Sequence, residues 1–399
     1  MAAIGVLSLL YNMSKQRADF LNGSFLILSV WAVSISVVGY ISTVINNTHD
    51  YTYSTYIVSM WVWIMSAYTL ILVINWTHEG VTFRIIVNYL ICVCVLQCLF
   101  SLLYEYNETF NSFIKSLNIG LELVFDTKGR MQGLAAALDP AGIRFAGTLV
   151  VLGYVIVNRT DYYEYNRDTW LYLASFILIT VVGNMVSRTT TIGTALALLY
   201  LVACLLAKRD KMRVNSSNVL SRLVVVCIFS VLVISYEYNH NEAFHDNIRF
   251  GFEGFFSLVE TGEWKTNSNE ILKSMVVWPD NLKTWIIGDG YIINPSHGVD
   301  PFYVGETYSG FYKDTDIGYL RFIFYFGIIG LVCFSTFLIY AAKSCMDRFQ
   351  SHKMAFLLLL IANFIIWFKV STDIFQFFAL FLAVPPSFIR RSNDVDVQG

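Results

Sequence analysis

Beyond residue 20, ten stretches of this chain, each roughly 14 to 24 residues long, hold no Asp, Glu, Lys or Arg at all. They run over 22–45, 52–75, 85–104, 145–158, 169–186, 189–207, 223–236, 322–342, 354–368 and 374–389. A charge at the bilayer centre costs about 2.5 kcal/mol or more, and a spanning helix needs about 17–25 mostly apolar residues. The shorter windows gain length from Arg222, Arg321 and Lys369, whose stems can snorkel at their ends. The pattern predicts an all-α, polytopic transmembrane helical bundle of about ten spans. With 56% apolar and 14% charged residues among 399, one integral membrane domain over 1–399 uses nearly the whole chain.

The net charge of −2 and the lack of a basic stripe give no nucleic-acid partner. Six of the seven cysteines lie inside apolar windows and none in a long loop, which disfavours a disulfide framework; no CxxC spacing occurs. His240 and His245 lack a third ligand, so no metal site is expected. No P-loop, GxSxG or HExxH is present, and no cofactor is implied. Residues 1–11 are apolar but too short to span. They read as an interfacial segment or as part of a further helix.

With a cytoplasmic amino terminus and ten crossings, the short inner segments collect Lys15, Arg17, Arg84, Arg159, Arg167, the Lys208–Arg213 run, Arg222, Lys343, Arg348, Lys353, Arg390 and Arg391. Both ends then face the cytoplasm. Two long outer loops remain, 105–144 and 237–316. Phe110, Phe113, Ile114 and Leu117 predict an amphipathic helix in the first. Phe244, Ile248, Phe255, Phe256 and Val259 predict one in the second. Aromatic-rich loops of this length place the working face outside the cytoplasmic membrane. Trp264, Trp278, Trp285, Tyr291 and Tyr303 crowd the second loop, where burial at the bilayer surface is the ordinary role of such aromatics.

Three outer arginines are candidate ligands for an anion. Arg144 enters the fourth helix, Arg188 sits in a tight turn with Ser187 and three threonines, and Arg249 lies on the loop helix. A guanidinium is always charged and its fork matches phosphate oxygens, so a converging set would hold a lipid-linked pyrophosphate. The plainer alternatives are a snorkelling anchor for Arg144, a turn contact for Arg188, and a one-turn pair with Glu253 for Arg249. Asp316 falls at or next to an N-cap, either as a cap or as a carboxylate acting as base near a reaction centre.

Four motifs carry a resemblance: Arg144–Gly147 at a helix entry; Ser187, Arg188 and Gly193 at a turn; Gly288-Asp289-Gly290 closing the large loop; and Asp316 through Gly327, Gly330 and Leu331. Their order resembles the O-antigen polymerase (Wzy-type) and O-antigen ligase superfamily, over about 140–335. The resemblance implies a metal-independent membrane glycosyltransferase of the bacterial inner membrane, active on its periplasmic face. Its substrate would be an undecaprenyl-pyrophosphate-linked oligosaccharide, polymerised for O-antigen or capsule, with the lipid bilayer and a chain-length regulator protein as further partners. Arg144, Arg188 and Arg249 would hold the pyrophosphate, and Asp316 and Arg249 would serve catalysis. Ligases of this superfamily usually carry a His-Asn pair where this chain has Thr315-Asp316-Ile317, which favours the polymerase over a ligase. A lipid-linked oligosaccharide flippase is the alternative from another class.

Overall fold

The computed structural model describes residues 1–15, 23–116, 131–132, 138–158, 165–206, 216–295, 303 and 310–389. Outside them fall Arg17, Leu117, Arg159, the Lys208–Arg213 run, Arg390 and Arg391. Helices account for the regular structure: α1 (Ala2–Ser14), α2 (Gly23–Asn46), α3 (Tyr56–His78), α4 (Phe83–Tyr106), α5 (Glu108–Ser116), α6 (Leu138–Val157), α7 (Tyr165–Val186) and α8 (Thr190–Leu206). They continue as α9 (Ser216–His240), α10 (Glu242–Gly251), α11 (Glu253–Thr261), α12 (Asn267–Ser274), α13 (Leu282–Ile286), α14 (Gly318–Arg348), α15 (Lys353–Ile366) and α16 (Phe375–Leu382). Among the described residues there is no strand, only isolated bridges such as Ile293 to Phe311.

Seven of these helices are long and apolar enough to cross a membrane: α2, α3, α4, α6, α7, α9 and α14. The chain is in this sense a helical membrane protein. Three of the ten charge-free windows yield shorter helices, of 17 residues in α8, 14 in α15 and 8 in α16. The first loop holds its helix, α5. The periodic stretch in the second loop is two helices rather than one, because Phe252 (φ −117°, ψ 24°) leaves helical geometry between α10 and α11.

The chain divides into two compact units. The first comprises residues 1–86 and 270–399, the second residues 87–269. In the first, α14 is the buried centre, with Phe322, Phe324, Tyr325, Phe326, Phe334 and Phe337 almost fully covered. The short α1 packs on α3, where Gly5 lies against the Met65 carbonyl and Asn12 donates to the Tyr68 hydroxyl. In the second unit α6 and α8 meet backbone to backbone, with Gly193 against Ala146 and Gly153 against Ala197. Small residues permit this close approach, a usual way to join helices where lipid removes the hydrophobic drive.

Within α14 the helix breaks. Phe326 (φ −135°) and Gly327 (φ 68°, ψ −172°) leave helical geometry, so carbonyls two turns from its start lose their i+4 donors. The peptide N–H of Asp289 donates to the Phe324 carbonyl at 2.6 Å and that of Gly290 to Tyr325 at 3.1 Å. Ser42 Oγ adds a second donor to Tyr325, at 2.6 Å. Gly327 sits in a backbone region open essentially to glycine alone, and an added Cβ would strike the Ile286 carbonyl. We predict that Gly327→Ala costs at least about 1–3 kcal/mol in strain, while Gly23→Ala, with open space around it, costs little. Thermal midpoints of the detergent-solubilised variants check this; a wild-type midpoint for Gly327→Ala would refute it.

Candidate functional site

In the second unit one end gathers the C-terminus of α4, the entry of α6, the turn between α7 and α8, and the two helices α10 and α11. Asn241 caps α10 by accepting the Phe244 N–H at 3.1 Å. From that helix Asn247 donates to the Tyr106 hydroxyl at 3.1 Å, and Gly251 lies against the backbone of Asn184. The threonines around Arg188 are committed to the turn. Thr189 donates to Asp139 at 3.0 Å, Thr190 to the Gly183 carbonyl at 3.0 Å and Thr191 to Asn184 at 2.5 Å.

Arg188 is a strut of this end. Its Nε donates to the Phe250 carbonyl at 3.0 Å and Nη1 to Ser268 Oγ at 3.0 Å, while Nη2 pairs with Glu253 at 2.7 Å. The guanidinium also lies over the Phe250 ring, 4.1 Å from its centroid, and the side chain is 12% exposed. Arg249 lies on α10, 40% exposed. Its Nη2 donates to both oxygens of Glu260, at 2.9 and 3.1 Å, and Phe256 lies beneath the guanidinium. Thus Glu253 pairs with Arg188 rather than with Arg249. Arg144, in the second turn of α6, is exposed, and its guanidinium has no hydrogen-bond or ion-pair partner among the described residues.

The first unit has its own polar end, where α2 finishes and α3 and α14 begin. Asp316 lies just ahead of α14, with Ile317 at the cap position and Thr315 Oγ accepting the Ile317 N–H at 3.3 Å. Arg321 follows in the first turn, its guanidinium 3.4 Å from the centroid of the Phe311 ring. The Gly288–Gly290 segment crosses this end. Asn46 donates to the Gly288 carbonyl at 3.0 Å and Thr48 to that of Gly290 at 3.1 Å. Asp289 accepts from Thr284 Oγ at 2.6 Å and pairs with Lys283 at 3.3 Å. Reasoning from sequence singled out this segment as a motif but not the Asp289 side chain. Its signal was the pair of glycines around one polar residue. Of the loop aromatics, Trp278 and Trp285 are stacked on each other and Tyr291 is buried. The structure groups Arg144, Arg188 and Arg249 in the second unit and Asp316 in the first.

Comparison with protein-family models, with curated proteins and with solved structures returned no match. The residues themselves therefore carry the functional reading.

Two predictions follow from the polar contacts. Arg188→Ala leaves the half-buried Glu253 carboxylate without its cation and with only the Asn267 N–H, at 3.1 Å, at a cost of about 1–3 kcal/mol. Limited proteolysis should cut between α9 and α12 faster in that variant; an unchanged cleavage rate refutes the strut. The second concerns Asp373, in the turn between α15 and α16, which accepts the Tyr56 hydroxyl at 2.6 Å and the Phe375 N–H at 2.8 Å. Burial pushes its carboxyl from 3.8 up to about 6, against the opposing pull of these two donors. A raised folded value means stability present at low pH and lost as pH climbs through about 6. The wild-type thermal midpoint should fall over that window, and Asp373→Asn should flatten the fall. Equal slopes for the two proteins refute it.

Proposed function

We infer that the chain is a repeat-unit polymerase, a metal-independent glycosyltransferase of the bacterial inner membrane. It joins undecaprenyl-pyrophosphate-linked oligosaccharides on the periplasmic face, for O-antigen or capsule, as the superfamily resemblance implies. This reading takes the charge-free windows as ten crossings with both termini cytoplasmic.

The observation that carries it is Arg144. It is an exposed guanidinium with no partner among the described residues, at the same end of the second unit as Arg188 and Arg249. A cation at a bilayer interface without a protein partner is matched by an anion from outside, and a lipid pyrophosphate presents one there. Transfer of the glycan expels that pyrophosphate, whose charge must be neutralised as the bond breaks; guanidinium groups can do so without a metal ion. Arg144 is assigned the direct contact. Arg249, partly neutralised by Glu260, flanks it, and Arg188 holds α10 and α11 in place.

A second reading, an anionic-lipid flippase, gains support from the break in α14, since transporters bind substrates at interrupted helices. Transporter breaks lie near mid-membrane, whereas this one is about 12 Å from the helix start at 1.5 Å per residue. It is also filled by Gly288–Gly290 and Ser42. The polymerase is favoured for that reason.

A glycan gel of the source bacterium with and without the gene decides between them. Loss of the long ladder, with one repeat still on its anchor, supports the polymerase; loss of every repeat supports a ligase or flippase. Complementation with Arg144→Ala or Arg144→Lys should fail to restore the ladder at wild-type protein levels. A full ladder from both variants removes the pyrophosphate contact.

A further inference from the structure

We propose that α11 is a membrane-contact helix: its outer face, formed by Phe255, Leu258 and Val259 with Trp264 beside them, inserts into the headgroup–acyl boundary of the bilayer around α9. The inference uses the second unit alone and the membrane character of its helices, and it does not rest on the polymerase reading.

The first argument is the way the helix faces. Phe255, Leu258 and Val259 stand at i, i+3 and i+4, which is one face of a helix, and all three are exposed, Val259 by 85%. Glu253, Ser257 and Glu260, at i, i+4 and i+7, form the other face. A helix lying on a water-facing protein turns its apolar stripe to the core and its carboxylates to solvent. In α11 the order is reversed. Glu253 pairs with Arg188 at 2.7 Å and Glu260 with Arg249 at 2.9 Å, so the acidic face is turned onto the protein and the apolar face away from it. The neighbouring α10 keeps the ordinary orientation, with Ile248 buried and Phe244 against Tyr106, ring centroids 6.3 Å apart.

Depth is the second argument. The charge-free window of α9 ends at Tyr236, just before Glu237, and Tyr is a usual marker of the membrane–water boundary. Two residues further on, the Tyr238 ring stacks on Phe256 of α11, with centroids 6.0 Å apart and planes at 12°. The Tyr238 hydroxyl also accepts from Arg249 Nη1 at 3.5 Å. These contacts hold α11 at the level where α9 leaves the hydrocarbon. No residue of α9 from 221 to 240 is buried within the chain, which leaves its apolar side chains to lipid. The surface that α11 adjoins is therefore the lipid surface.

The third argument is Trp264. Its ring lies on Gly254, where an added Cβ would fall 2.5 Å from it, and meets Phe255 edge-on with centroids 4.8 Å apart. The half-exposed indole thus widens the apolar face of α11. Tryptophan favours the bilayer interface because its body is apolar and its N–H polar. Glu263 and Lys265, on either side of it in sequence, pair with each other. The patch offers no surplus of positive charge, so the layer it matches is the acyl boundary rather than the phosphates. Four side chains are also far fewer than the roughly 20–30 residues a side of a stable protein–protein interface. Insertion into lipid has no such requirement.

The test is site-directed spin labelling of the full-length protein in nanodiscs of phosphatidylethanolamine and phosphatidylglycerol. The exposed Cys92 and Cys227 are replaced by serine, and the signal of that parent is subtracted. Oxygen concentrates among acyl chains, whereas a nickel chelate stays in water. The ratio of oxygen to chelate collisions should be several-fold higher for a nitroxide on Val259→Cys than for one on Glu263→Cys, and Leu258→Cys should follow Val259→Cys. Equal ratios at the apolar positions and at Glu263 overturn the proposal, because α11 then lies in water. Low collision rates with both reagents at Val259 and Leu258 overturn it as well, because a protein surface then covers the face.

Discussion

A break in a helix surrounded by apolar side chains exposes peptide groups that no water can satisfy, and each one left unpaired costs several kcal/mol. The first unit is organised around meeting that demand at Phe326 and Gly327. Carbonyls freed from α14 receive the N–H groups of Asp289 and Gly290, together with the Ser42 hydroxyl. Those donors have to be delivered at the broken turn itself. The segment after α13 therefore meets α14 between two glycines, and Ser42 and Asn46 of α2 with Thr48 just beyond it each hold either that segment or the broken turn. The position of Asp289 is a consequence of this hydrogen bonding.

The second unit solves a different problem, that of fixing loop helices against helix ends with few apolar contacts. Arg188 does this through four kinds of contact at once: a carbonyl, a hydroxyl, a carboxylate and an aromatic face. Lysine, with a point charge in place of a planar fork, could not reproduce that set. Beneath it, the close approach of α6 and α8 at Gly193 and Gly153 leaves no room for side chains between them. The turn that carries Arg188 is thereby held at a fixed distance from the entry of α6.

Much of the helical architecture was legible because a bilayer imposes so crude a filter: charge-free windows mark α2, α3, α4, α7 and α14 to within about six residues, and α6 apart from its first two turns. The break in α14 was not legible that way, since residues 322–342 are uniformly apolar and hydropathy does not register backbone geometry. Gly327 was visible only as a motif glycine; its φ and ψ supply the physical reason for it. The loop helix failed for a related reason. Residues 244–259 keep a helical period across Phe252, yet the backbone departs there, and the plainer alternative for Arg249, a pair with Glu253 across one turn, is not formed. Glu253 turns to Arg188 and Arg249 to Glu260, partners that spacing along one helix could not indicate.

Charged groups in this protein sort by whether the fold consumes them. Arg188, Asp50 and Asp373 are spent on the chain itself, and their removal should be read out in stability. Arg144 in the second unit and Oδ2 of Asp289 in the first keep bonding capacity that the described fold does not use. Selection for stability alone gives no reason to hold a carboxylate oxygen rigid and leave it short of donors, because pairing it would lower the free energy further. Nor does it account for an exposed guanidinium at Arg144 without a partner among the described residues. Asp289 thus differs from Asp50 and Asp373 in what the fold takes from it: one oxygen meets Thr284 and Lys283, the other a single long contact from Tyr312.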